Sequence, residues 1–140
     1  MSEGERRFSR DSRGAAAVEF AFIATVLMGA LVLVVDGWAL ASGFLDMRAG
    51  LRAGSRYYMT GGTSDSASRE VVLVAWRDRP GDSVVEVSRS CRCGEAATQC
   101  GTLCPDRRPP ATYVQLTATT ETDGLLMSPR FRESQVVRVR

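Results

Sequence analysis

Apolar residues are distributed unevenly along this chain, and the densest run lies near its N-terminus. From Ala15 to Val35 the only charged residue is Glu19. At a rise of about 1.5 Å per residue, a helix of this length spans about 32 Å, which is enough to cross the hydrocarbon core of a bilayer. The pattern therefore predicts a transmembrane helix over 15–36.

A second apolar pattern continues this helix beyond the predicted span. Apolar and small residues recur at spacings of four and three, which is the period of one helix face. They are Leu40, Phe44, Met47, Leu51, Gly54 and Tyr58. The first strong stop signal is Gly61-Gly62. We therefore predict an extramembrane amphipathic continuation over 37–62, with this stripe packed on a core.

The remaining segment, 63–140, reads as a small α+β domain. Ser64-Asp65-Ser66 supplies N-cap residues for a helix over 65–77, although its valines leave a strand as the alternative. The apolar face of that helix is predicted to be Val71, Val72, Val74, Ala75 and Trp76.

Alternating polar and apolar residues predict strands over 83–90 and 112–120, with Val114, Leu116 and Ala118 of the second strand facing inward. The segments 125–127 and 134–140 are short strands or edge segments. The expected fold class is α+β, with a long N-terminal helix packed on a small, mainly antiparallel, disulfide-bonded β domain.

The amino-acid composition argues against several classes of function. The net charge is +2 and no basic patch is interleaved with aromatic residues, so a nucleic-acid partner is not expected. The chain has no histidine, which removes the commonest general base and metal ligand. Every basic residue is an arginine, so no lysine can form a Schiff base. Without a phosphate-binding loop or nucleophile motif, the chain is not expected to be an enzyme or to need a cofactor, a metal or a small-molecule substrate.

The charges that flank the predicted span indicate its orientation. Four arginines precede it, namely Arg6, Arg7, Arg10 and Arg13. Asp36 and Asp46 follow it, and Trp38 lies where an interfacial aromatic residue belongs. Because positive charge is retained on the cytoplasmic side, the N-terminus is expected inside and the C-terminal domain outside.

All four cysteines lie within residues 91–104. Outside the cytoplasm they predict two disulfides. Cys91 and Cys93 are too close along a strand to pair without strain, so each is expected to bond Cys100 or Cys104. We favour Cys93–Cys100 nested inside Cys91–Cys104, and the crossed pairing stays open. A zinc site is the alternative, but the C-x-C and C-x₃-C spacings only half match zinc knuckles.

Three ways of processing the N-terminus are compatible with the sequence. The segment could remain as an uncleaved anchor. A signal peptidase could cut at Ala39-Leu40-Ala41, although that cut would discard much of the amphipathic helix. A peptidase on the cytoplasmic side could cut between Gly14 and Ala15.

The residues RGAAAVEF resemble a type IV prepilin cleavage site. In that family a membrane peptidase cuts after the glycine, the new N-terminal residue is usually methylated, and a glutamate stands at the fifth mature position. The resemblance implies that 1–14 is a cytoplasmic leader, that cleavage follows Gly14, and that Ala15 becomes the first residue. Glu19 then becomes the fifth residue.

More narrowly, RFSRDSRGAAAVEFAFIATVLM resembles the TadE-like minor pilins, or pseudopilins, of tight-adherence (Flp, type IVc) pili. The resemblance is strong over about 6–35. It departs in one place, because Thr25-Val26 stand where many members carry a proline. It implies that Glu19 neutralises the terminal amine of a neighbouring subunit and thereby sets the register between helices.

The same resemblance implies a single-pass protein of the bacterial inner membrane with a periplasmic C-terminal domain, which is also a candidate for incorporation into the extracellular pilus. Its expected partners are the membrane, the prepilin peptidase, other pilin subunits and the assembly machinery, and its expected role is pilus assembly and surface adhesion. The main alternative is an unprocessed, membrane-anchored binding or sensor domain. A secreted, disulfide-bonded domain is the third possibility.

Overall fold

The structure is a computed structural model that describes residues 12–139, except for the side chains of residues 12, 13 and 15. The described chain forms two compact units, of which one ends at Gly37 and the other begins at Trp38. Helix α1 (Ser12–Met59) contributes residues to both units. The remaining elements all belong to the second unit.

Helix α1 ends where the glycine pair predicted its stop. Gly61 has a φ of +98°, a left-handed conformation that costs a glycine little. The amide of Gly62 donates to the carbonyl of Tyr57 at 2.9 Å, and that of Gly61 donates to Tyr58 at 3.1 Å. These bonds satisfy carbonyls that the end of the helix would otherwise leave unpaired.

Helix α2 (Asp65–Ala75) confirms the helical interpretation of this segment over the strand alternative. Its N-cap is Ser64, whose hydroxyl accepts a hydrogen bond from the amide of Ala67 at 3.3 Å. Val72 and Trp76 are buried, as expected for residues four positions apart on one face. The prediction for Val74 was wrong, because this side chain lies on the opposite face and is exposed.

Four antiparallel strands follow: β1 (Val84–Cys93), β2 (Ala96–Thr98), β3 (Ala111–Glu121) and β4 (Arg130–Val139), in the spatial order β2-β1-β3-β4. The two main predicted strands are present but longer, and β4 begins before the predicted 134–140. The short strand β2 was not predicted. The possible strand at 125–127 is wrong, because this segment forms the turn between β3 and β4.

The core of the second unit lies between the C-terminal part of α1, helix α2 and one face of the sheet. Its buried apolar members are Met47, Leu51, Tyr58, Val72, Trp76, Val85, Val114, Leu116 and Ala118. They include the innermost part of the predicted α1 stripe and the three predicted inward residues of β3. The second unit therefore confirms the α+β layout with a mainly antiparallel sheet.

A glycine permits the close packing of α1 in this core. A Cβ atom built on Gly54 would lie 2.8 Å from Leu116 Cδ2 and would also overlap Val72 Cγ2. Any larger residue at this position would therefore force helix α1, helix α2 or the sheet to move.

Candidate membrane and assembly segment

The N-terminal part of α1 presents a continuous apolar surface. Among the described residues, α1 is the one helix long and apolar enough to cross a membrane, and its most apolar window has a mean hydropathy of 2.5. None of that window is buried, whereas the core helix of a soluble protein would be mostly buried. Its large exposed side chains include Phe20, Phe22, Val26, Leu31 and Val34. An exposed apolar surface of this extent is typical of a segment that contacts lipid or other proteins.

Polar groups within this segment differ in how they are satisfied. The hydroxyl of Thr25 donates to the carbonyl of Ala21 at 2.8 Å, so this group is satisfied within the helix. The carboxylate of Glu19 is exposed and makes no ion pair or hydrogen bond with any residue that the structure describes. Among the residues that the structure describes, none neutralises the Glu19 side chain.

The predicted cleavage point lies in the first turn of α1. Gly14 is exposed, and a Cβ atom built on it would meet nothing within 4 Å. Glu19 follows Ala15 by four positions, which places it one helical turn further along the same face. Most of the predicted leader, residues 1–11, lies outside the described residues.

The disulfides are Cys91–Cys100 and Cys93–Cys104, so the favoured nested pairing was wrong and the crossed pairing is correct. The reason is the position of the turn. The chain reverses immediately after Cys93, at Gly94, whose φ is +64°. Strand β2 then pairs back along β1, with Thr98 opposite Cys91. Cys100 consequently passes Cys93 and reaches Cys91.

A polar cluster that the sequence did not indicate fixes the turn between α1 and α2. The hydroxyl of Tyr58 donates to Asp65 Oδ1 at 2.6 Å, and Arg89 Nε donates to both carboxylate oxygens of Asp65 at 3.1 Å. Arg89 Nη2 also donates to the carbonyl of Thr63 at 2.7 Å. Two helices and one strand contribute to this cluster, so no local pattern in the sequence reveals it.

The charges in this cluster shift the pKa values of its members. The hydrogen bonds from the Arg89 guanidinium lower the pKa of the Asp65 carboxyl below its ordinary value. Burial, followed by the hydrogen bond to Asp65, raises the pKa of the Tyr58 hydroxyl. The arrangement keeps Asp65 charged and Tyr58 protonated at neutral pH, which suits a structural clamp.

The predicted site residues fall into two groups. Gly14, Ala15 and Glu19 lie in the first turns of α1 and belong to the first unit, whereas the cysteines cross-link one end of the sheet in the second unit. No family model, curated protein or solved structure matches this chain. Functional inference therefore depends on the residues and geometry of the chain itself.

Proposed function

We propose that this chain is a minor pilin, or pseudopilin, of the tight-adherence type. It is inserted into the bacterial inner membrane with its N-terminus in the cytoplasm and is cleaved after Gly14 by a prepilin peptidase. It then acts in pilus assembly and surface adhesion. The observation that carries the proposal is the exposed carboxylate of Glu19, for which no described residue provides an ion pair or hydrogen bond, on a helix whose most apolar window contains no buried residue.

The apolar segment supports a helix that is covered by lipid before assembly and by other subunits after it. Complete burial of a large apolar side chain is worth roughly 1.5–3 kcal/mol, and in water these partly exposed side chains forgo a share of it. A soluble protein would recover this energy by folding the segment against its own core. Among the described residues, those of α1 that belong to the core of the second unit or pack against it begin at Phe44.

Glu19 supports a specific role in assembly because an unpaired carboxylate within a membrane is costly. Cleavage after Gly14 would create an amino group at Ala15. That cation can lie beside Glu19 of a neighbouring subunit when two parallel helices are offset by about one turn. The ion pair would offset much of the cost of burying both charges, and it would form only at the correct register.

The second unit is consistent with a location outside the cytoplasm. Its two disulfides persist in oxidising compartments such as the periplasm and the cell surface. Each bridge that closes such a short loop contributes about 2–3 kcal/mol to the free energy of unfolding, which matters in a domain with a small core. This feature supports the N-in orientation that the flanking arginines predict.

The first test is the intact mass and N-terminal sequence of the protein purified from native membranes. We expect a chain that starts at Ala15 and carries a methyl group on its amine. A start at Met1 or Ser2 would contradict the proposal and favour an unprocessed anchored binding or sensor domain. A start at Ser42 would show that signal peptidase removes the helix.

A second test separates processing from assembly. Glu19→Gln keeps the shape of the side chain but removes its charge, and Glu70→Gln makes the same change on the exposed surface of α2. We expect both variants to start at Ala15. Incorporation of the Glu19 variant into isolated pili should fall about tenfold or more, equivalent to a loss of at least ~1.4 kcal/mol. Equal incorporation of the two variants would contradict the role of Glu19.

A further inference from the structure

The turn between β3 and β4 presents three consecutive large apolar side chains to solvent. Leu125, Leu126 and Met127 are 73%, 56% and 59% exposed. Two backbone hydrogen bonds close the turn, from Thr122 to Pro129 at 3.2 Å and from Gly124 to Met127 at 3.0 Å. The core of the second unit does not use these side chains. Three adjacent exposed apolar residues at the tip of a closed turn form a patch of the kind that binds a partner or a membrane.

The position of this turn follows from the contacts between α1 and β4. The contacts are, in order, Phe44 with Phe131 at 5.5 Å between ring centroids, Arg48 with Glu133 at 2.8 Å, and Ser55 with Gln135 at 2.7 Å. Residue numbers rise together on both elements, so β4 runs in the same direction as α1. The turn that precedes β4 therefore lies at the Trp38 end of the second unit.

One further contact places the start of the turn beside the first residues of this unit. Thr122 Cγ2 lies 4.0 Å from the position that a Cβ of Gly43 would occupy. Gly43 follows Trp38 by five positions, or about 7–8 Å along the helix axis. Trp38 is itself exposed and is the first residue of the second unit. The turn thus lies at the end of the second unit that directly follows the apolar segment in the chain.

We propose that the turn Thr122–Pro129 is a second membrane contact of this protein, in which Leu126 and Met127, together with Leu125, enter the headgroup and upper acyl region of the bilayer. The polar residues Asp123 and Ser128 flank the apolar tip and remain in the aqueous part of the interface. This inference rests on the membrane insertion of α1 in the proposed function. It is independent of cleavage after Gly14 and of pilus assembly.

Lipid is the favoured occupant because the turn belongs to the end of the second unit that is covalently continuous with the apolar segment. The segment that crosses the bilayer ends next to Trp38, so the patch meets the interface without a separate encounter. Shallow insertion of apolar side chains with polar flanking groups is the usual mode of interfacial binding.

A fluorescent reporter can test this contact in the full chain. Leu126→Trp places an indole at the tip of the turn, and Leu103→Trp places one in the cysteine loop, where the native leucine is similarly exposed at 63%. The cysteine loop follows the C-terminal end of β1, whereas the turn after β3 lies beside the N-terminal end of β1. Leu103 is therefore a matched control far from the proposed membrane contact. Both variants carry Trp38→Phe and retain the buried Trp76 as a constant signal.

Each variant is reconstituted into phosphatidylcholine vesicles with either ordinary or dibrominated acyl chains. We expect the brominated chains to reduce the emission of the introduced tryptophan by about half in the Leu126 variant, because its ring reaches the acyl boundary. The Leu103 variant should be unaffected.

Other outcomes would overturn the inference. Equal emission in both lipids, from protein that resists alkaline extraction, would leave the span intact and refute the contact at the turn. A blue shift of the Leu126 variant that depends on the protein-to-lipid ratio, without quenching, would show that a second copy of the chain covers the patch. Extraction of the protein at alkaline pH would refute the span and the turn contact together. A chain that starts at Met1 would refute prepilin processing alone.

Discussion

The two parts of α1 on either side of Gly37 use similar residues in opposite environments. Leu31 in the first part is 57% exposed, whereas Leu51 in the second part is fully buried. Both belong to one helix with the same backbone hydrogen bonding. The comparison shows that helix formation here is a local property, whereas burial depends on which other elements the chain supplies. In the first part, the most apolar window contains no buried residue among those that the structure describes.

Glycines show the same difference. A Cβ atom built on Gly29 would meet nothing within 4 Å, whereas one built on Gly54 would overlap side chains of α2 and β3. Glycine in a helix interior is unfavourable by about 0.5–1 kcal/mol relative to alanine. At Gly54 this cost is offset by close packing. At Gly29 no contact with the described residues explains it.

The largest expected effect that tests this comparison comes from removing a leucine side chain in each part. Leu51→Ala should reduce the free energy of unfolding of the second unit by about 3 kcal/mol, because it leaves a cavity in the core. Leu31→Ala should change it by less than about 0.5 kcal/mol. Denaturant titration in mild detergent, followed through the fluorescence of Trp76, measures both. Similar losses for the two variants would show that the two parts do not differ in packing.

A smaller effect is expected from adding a methyl group to each glycine. Gly54→Ala should destabilise the second unit by about 1–3 kcal/mol, because the new methyl overlaps Leu116 and Val72. Gly29→Ala should leave its unfolding unchanged, and it should raise helix content slightly if it has any effect. The same titration, together with circular dichroism, measures both changes. Destabilisation at Gly29 would contradict the comparison.

The smallest expected effect concerns the polar cluster that closes the second part of α1. Hydrogen bonds from Arg89 lower the pKa of Asp65, so the folded state binds fewer protons than the unfolded state just below the ordinary pKa of 3.8. The stabilisation is present above that pH and is lost as the pH falls through the lowered value. Asp65→Asn should therefore flatten the decline in melting temperature below about pH 4.

The control for this prediction is Tyr58→Phe, which removes the hydroxyl but keeps the Asp65–Arg89 ion pair. Because the pKa of Tyr58 is raised above 10.0, its contribution is present below that pH and is lost as the pH rises further. Tyr58→Phe should thus alter the alkaline side of the profile and preserve most of the acid decline. An unchanged acid decline in Asp65→Asn would remove the cluster as a source of pH-dependent stability.

Much of the fold could be predicted because it depends on local patterns. The stripe from Met47 to Tyr58, the alternation of Val114, Leu116 and Ala118, and the capping residue Ser64 are all confirmed. Each reflects a helix or strand period, or a hydrogen bond between near neighbours. The exposed Val74 was missed because α2 has β-branched residues on two faces, and only contact with α1 and β1 determines which face is buried.

The amino-acid sequence by itself determined an apolar segment long enough to cross a membrane, its extension into an amphipathic helix, the stop at the glycine pair, and the presence of Glu19 within the apolar run. These features depend on residue type and spacing alone. Only the tertiary structure decided the crossed disulfides, the Tyr58–Asp65–Arg89 cluster, and the position of the Leu125–Met127 turn at the Trp38 end of its unit. Each of these requires residues that are distant in the chain to meet, and such meetings are determined by strand register and by packing in the shared core.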